Sequence, residues 1–237
     1  MKIALLRVGV DSGSRGIQGP LFANGDFEFI PIPDDRMLDT RTYGNTKGRC
    51  GRLFTDFFPQ GQRSKMANQP IHVDPEFDTF TYGDPTPPKR GLRKLERGDL
   101  LVFYAGLEGF GWTSAPGLYL IGYFEVGMAG LANTFTPAQI STHFSQNFHV
   151  RHSSLFAKQV NDLVLVKGGD GSRLFQKAHL FSETLTAVNK PPLKVISTAM
   201  RGHFGHFKNR YSFQRSPTRW VDPTYVHSAA NFVKALP

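Results

Sequence analysis

Arg7, Asp11 and Ser12 stand where an apolar, β-rich run from Lys2 to Val10 gives way to the polar turn Asp11-Ser12-Gly13-Ser14-Arg15-Gly16. Side chains at the end of a strand face a cleft more often than a core. Cleaving an N-glycosidic bond passes through a sugar cation, so a carboxylate held there could stabilise the cation or orient the attacking water. Asp11 suits that role, with Arg7 positioning it or a phosphate. The same residues also suit a plain structural turn, in which Asp11 bonds its own backbone and Arg7 pairs with it.

His72-Val73-Asp74 places two polar side chains on one face of an extended segment. That is the H-x-D spacing of the iron site in 2-oxoglutarate oxygenases, which also need a distal histidine and a following arginine; His203 or His206 with Arg210 are the candidates. Asp74-Pro75 reads equally as a turn, and His72 with Asp74 could instead hold a base or sugar without any metal. Cys50 is the one cysteine, which excludes an internal disulfide and the two-cysteine zinc sites of nucleobase deaminases and zinc fingers. No metal and no cofactor are therefore expected, and activity is expected to survive a chelator.

The basic residues point to a polyanion. Lys and Arg number 28 against 19 Asp and Glu, a net charge of +9, and such an excess speeds encounter with nucleic acid and neutralises phosphates. Arg201 to Trp220 interleaves Phe204, Phe207, Tyr211 and Phe213 with Arg201, Lys208, Arg210, Arg215 and Arg219. That pattern suits a strand tracked by cations with bases stacked on rings, and equally a β-hairpin with rings inward and cations in solvent. The DNA-contacting candidates are Arg15, Arg49, Arg52, Arg201, Lys208, Arg210 and Arg215. No G-x-x-x-x-G-K-[ST] loop and no G-x-G-x-x-G after a strand occurs, which disfavours nucleoside triphosphate hydrolysis and Rossmann-type transfer.

The elements that must position these residues read as mostly β. Asp99 to Gly106 and Leu118 to Val126 are near-continuous apolar runs that should pair as a buried antiparallel hairpin. Thr136 before Pro137 marks the start of a short helix reaching Phe148, while Asp162 to Lys167 and Phe175 to Phe181 are further short elements. Residues 34 to 68 read as a long basic loop with a short helix near Leu53 to Phe58. With 40% hydrophobic and 20% charged residues over 237 positions, the chain folds a real core, and a single domain is expected over residues 1–237. The fold class expected is α+β, mostly β: a compact mixed or antiparallel sheet, or a PUA-like barrel, with long basic insertions. No apolar run is long enough to span a bilayer and the amino terminus lacks a signal-peptide pattern, so a cytoplasmic location and no membrane partner are expected.

Four segments in order resemble the third nucleotide modification associated domain family: the Arg-x-Gly-x-Asp-Ser loop at Arg7 to Ser12, Ile30-Pro31-Ile32-Pro33, His72-Val73-Asp74-Pro75, and the Gly-Asp-Leu strand at Gly98 to Gly106. The resemblance implies work on or around modified bases in DNA, often in phage or phage-defence settings, without fixing the reaction. Near the carboxyl terminus Ala229-Ala230-Asn231-Phe232-Val233 stands where the resemblance implies a Gly-Gln-Glu-Phe-Val-like segment, so any acidic role there is absent or altered. The Gly98 to Val126 pair also looks like the strand pair of PUA-like (EVE and ASCH) barrels, a fold-level analogy. Ser12 and Tyr104 are the base-contacting candidates, Tyr104 by that analogy alone. These readings converge on an enzyme acting on flipped-out modified bases, best a DNA N-glycosylase excising a hypermodified base, with Asp11, Arg7, His72 and Asp74 as its catalytic candidates. A non-catalytic modified-base reader and an iron oxygenase are the alternatives.

Overall fold

The computed structural model describes residues 1–11, 17–187, 190–207, 213 and 217–237. In chain order the strands are β1 (Ile3–Arg7), β2 (Gly19–Leu21), β3 (Ile32–Pro33), β4 (Ile71–His72), β5 (Thr81–Asp84), β6 (Leu100–Gly109), β7 (Gly117–Leu131), β8 (Val164–Gly168), β9 (Arg173–Leu180), β10 (Ser182–Ala187), β11 (Lys190–Ile196) and β12 (Arg219–Trp220). The helices are α1 (Gln60–Ala67), α2 (Pro137–Phe144), α3 (Phe148–Arg151), α4 (Ser153–Gln159), α5 (Thr198–Phe204) and α6 (Val226–Ala235).

The expected hairpin is the centre of the molecule. β6 and β7 pair antiparallel from Leu100 opposite Glu125 to Leu107 opposite Gly117. Their apolar runs are continuous because both faces are covered, and side chains alternate between two cores. Leu100, Val102 and Tyr104 join Ile3, Leu5 and residues of α5 and α6 on one face. Leu101, Phe103 and Ala105 join Ala4, Leu6 and Phe124 on the other. The sheet runs β12-β1-β6-β7-β8-β5, with β2 added to β6 and β9 to β7. β1 lies parallel to β6, which makes the sheet mixed. It is α+β and mostly β, as expected; its end strands β12 and β5 do not meet, so of the two architectures anticipated it is the mixed sheet and not the closed barrel.

Residues 34 to 68 are more ordered than a loop. Val10, Tyr43, Phe54, Phe57, Phe58, Met66 and Ile71 form a separate apolar cluster, and the buried carboxylate of Asp34 accepts the backbone N–H groups of Arg36 (3.0 Å) and Leu38 (2.7 Å). The anticipated turn of helix is present at Phe54–Phe57. α1 is not visible in the sequence because Met66 alone of its side chains is buried, leaving no apolar period to read. Thr136 caps α2 as expected: its hydroxyl accepts from the Gln139 N–H while the Gln139 side chain accepts from the Thr136 N–H. That helix stops at Phe144, however, and Asn147 caps α3 as a new helix. Among the described residues no helix is long and apolar enough to cross a membrane.

Candidate active site

One pocket of about 320 Å³ gathers Arg7, Arg36, His72, Asp74, Tyr82, Asp84, Lys89 and His149. Four elements build it. Arg7 ends β1, where Gly9 at φ +75° turns the chain away; a Cβ at Gly9 would lie 3.0 Å from both the Ile30 carbonyl and the Phe29 ring. His72 ends β4, held by pairing with Ile32 of β3. Asp74 follows two residues later, so both side chains project to one side. Tyr82, Gly83 and Asp84 belong to β5, and His149 is in the first turn of α3, where the Asn147 side chain accepts its N–H at 3.1 Å.

Asp74 is the most buried acid of the pocket, its side chain 5% exposed. The Gly83 N–H reaches both its oxygens, at 3.1 and 2.9 Å, and His149 Nε2 lies 3.6 Å from Oδ2. Gly83 must lack a side chain for this approach, since a Cβ there would stand 2.8 Å from Asn147 Oδ1. Burial drives the Asp74 carboxyl well above its ordinary range, and the bonds from Gly83 and Asn147 only partly oppose this. Burial also lowers both imidazoles, His72 to about 3, with the neighbouring cationic forms of His149, Arg36 and His152 adding to the effect. The cluster thus sits in a dry wall where burial disfavours the charged form of each group. The His149 ring is oriented by Gln159, whose Oε1 lies 2.8 Å from Nδ1. The His72 ring stacks on Phe148 at 3.9 Å between centroids. One donor atom from each of His72, Asp74 and His149 lies within 4.8 Å of the other two, a set able to hold a metal ion.

Lys89 is 7% exposed, and burial lowers its ammonium pKa with only the Asp84 charge opposing. Asp84 accepts the Tyr82 hydroxyl at 2.9 Å and the Thr86 N–H at 2.7 Å. Arg7 Nη2 is 3.4 Å from Asp11 Oδ2, while its buried Nε has no hydrogen-bond partner among the described residues.

The sequence candidates divide accordingly. Arg7, His72 and Asp74 come together in the pocket, and Asp11 stands behind Arg7 as its ion-pair partner. Tyr104 is 1% exposed and packs its ring against Phe213 and Phe181 in the core, so it walls no pocket; its strand position points it inward under α5 and α6. Arg49 and Arg52 line a wider groove of about 860 Å³ with Phe22, Phe27 and Glu28, the Arg49 guanidinium also donating to the Phe175 carbonyl at 2.8 Å. Arg201 is spent on Glu183 at 2.8 Å. Phe204, Phe207 and Phe213 are buried in the core and Arg201 begins no hairpin but sits in α5, so these rings offer no stacking surface. His203 is not the distal histidine of the H-x-D pair: it stacks on Phe232 and meets Ser228 at 3.2 Å. Ser12, Arg15, Lys208, Arg210 and Arg215 lie outside the described residues.

A family model described as nucleotide modification associated domain 3 matches residues 2–235, which takes in β1, the His72 to Asp74 segment, β5, α3 and thus every residue of the pocket. The chain belongs to this family. No curated protein and no solved structure matches it. The four segments that carry the resemblance are separated by tens of residues, yet three of them meet at the pocket, Arg7 to Ser12 through Arg7, Ile30 to Pro33 through Ile32, and His72 to Pro75 through His72 and Asp74. In this member of the nucleotide modification associated family the Ala229 to Val233 segment is the buried face of α6, with Ala229, Ala230 and Val233 in the core. Sequence reading missed His149, Lys89, Tyr82, Asp84 and Arg36. Only His149 had a usable signal, the Asn147 cap that starts a helix two residues before it.

Proposed function

We propose that this protein is an enzyme acting on modified nucleobases in DNA, and that its reaction is hydrolysis of the N-glycosyl bond of a hypermodified base. The observation that carries the reading is the pocket itself: two carboxylates and two buried imidazoles beside Arg7, Arg36 and Lys89 in a volume that suits a nucleobase or its sugar. Desolvated titratable groups are costly to hold merely to grip a ligand, and they cluster where protons move. In the reaction water adds at the sugar C1′ as the C1′–N bond breaks, and the base leaves with a proton. Arg7 and Arg36 serve as phosphate contacts that orient the flipped nucleotide. Asp74 and His149 hold the attacking water at the pocket wall, and Asp84 faces the sugar cation. Asp11 becomes a positioning residue for Arg7. The family membership supports the substrate class, and the net charge of +9 supports a polyanion.

The test is release of small molecules from variously modified phage DNAs, followed by mass spectrometry, with alkali-labile abasic sites scored on the same samples. Free base and strand scission from modified DNA alone are expected. A stable gel shift on modified DNA with neither product would overturn the enzyme in favour of a reader.

A further inference from the structure

His72, Asp74 and His149 make a constellation that hydrogen bonding within the protein does not explain. A structural Asp–His pair accounts for two of the three, with Gly83 and Gln159 as their outer partners. It leaves His72 over. The Nε2 atom of His72 is buried and has no hydrogen-bond partner among the described residues, although the ring is fixed by its stack on Phe148. A buried, unpaired ring nitrogen is a cost that packing alone would have removed.

We propose that His72, Asp74 and His149 bind one divalent first-row transition-metal ion at the wall of the pocket. Two imidazoles and one carboxylate are the borderline donors such ions favour. The distances are close to what an ion needs. Three donors at most 4.8 Å apart place a central ion within about 2.8 Å of each, so inward shifts of less than about 1 Å reach the usual 2.0 to 2.2 Å. The outer contacts are those of a metal centre. A Gln159 oxygen accepting from His149 Nδ1–H leaves Nε2 as the free lone pair, and the same Nε2 is the atom turned to Asp74. Gly83 and Asn147 hold the carboxylate from behind. Three protein ligands leave a coordination position facing the cavity, where a water would be acidified enough to attack at neutral pH. The proposal does not depend on the DNA reading, because occupancy is measured without substrate.

The experiment uses the full chain, stripped with chelator and titrated with Co²⁺ while visible absorption is followed, then loaded with Zn²⁺, desalted and assayed for metal content. One equivalent of either ion is expected, together with a metal-dependent rise in melting temperature. His72→Gln and His149→Gln should each weaken binding tenfold or more, and Gln159→Leu, which leaves all three ligands in place, should weaken it about tenfold through the lost orientation of His149. Exposed His227, replaced as His227→Gln, should change nothing. Circular dichroism establishes that each variant is folded; should a ligand variant fail to fold, Gln159→Leu carries the test. Well under one equivalent on folded wild-type protein, or binding that survives in a folded His72→Gln, His149→Gln double variant, would overturn the proposal.

Discussion

At the scale of single residues, His72, Asp74, Lys89 and His149 are held where burial disfavours their charged forms. Lys89 shows what that costs. Its folded pKa lies below the unfolded one, so between the two the unfolded chain holds the extra proton, and stability rises with pH across that window. Lys89→Met keeps the stem and removes the ammonium. The expected result is a melting temperature that is unchanged or higher and that loses the alkaline rise, while DNA turnover falls; a marked drop in melting temperature would show that the ammonium is paired for structure. Asp74, in the pocket, and Asp11, the ion-pair partner of Arg7, make a second comparison. Asp74→Asn should reduce base release by about a hundredfold or more, since it removes a group at the reacting centre, whereas Asp11→Asn should cost only about tenfold through a less constrained Arg7. Rate measurements on both variants decide which carboxylate sits at the chemistry.

At the scale of elements the site depends on three that are hard to read. β4 is two residues long, β5 four and α3 four, and each is held by neighbours and caps rather than by a period of its own. The long apolar runs of β6 and β7 were legible because burial on both faces leaves an unbroken pattern, and α2 was legible from its cap. His72 and Asp74 were visible as a pair because two residues of extended chain share a side. Their partner His149 was not, because the alignment of α3 with β5 is a tertiary contact across the Asn147 and Gly83 approach. That approach gives a prediction. Gly83→Ala adds a methyl 2.8 Å from Asn147 Oδ1 and 3.2 Å from the His149 ring, so α3 must shift; about 1 to 3 kcal/mol of stability and most metal affinity should go together. Gly61→Ala, in α1 with open space around the added carbon, should instead raise stability by about 0.4 to 1 kcal/mol. Thermal unfolding of the pair checks both signs.

At the scale of the whole molecule, the proposed function gives charge and pocket separate duties. The net +9 should make DNA affinity fall steeply with salt for plain and modified DNA alike, and a flat dependence of log affinity on log salt would remove the polyanion argument. Arg52, which lines the wide groove and lies over the Phe110 ring, is the described cation best placed to test this. Arg52→Ala should lessen the salt slope by about one without changing the preference for a modified base.

The placement of β1 has a consequence for how the chain reaches this state. Leu5 is flanked by Val102 of β6 on one side and by Arg219 of β12 on the other, so neither edge of the first strand is closed by a local partner. The β6–β7 hairpin, by contrast, closes over a short turn. Folding should therefore begin in the middle, with the hairpin and β8, and the strand bearing Arg7 should dock late, after a large loop-closure cost has been met. In pulse-labelled hydrogen exchange during refolding, amides of Leu101 to Ala105 that face β7 should gain protection before Ile3 and Leu5. A newly made chain would then hold a formed central hairpin well before it holds a formed pocket.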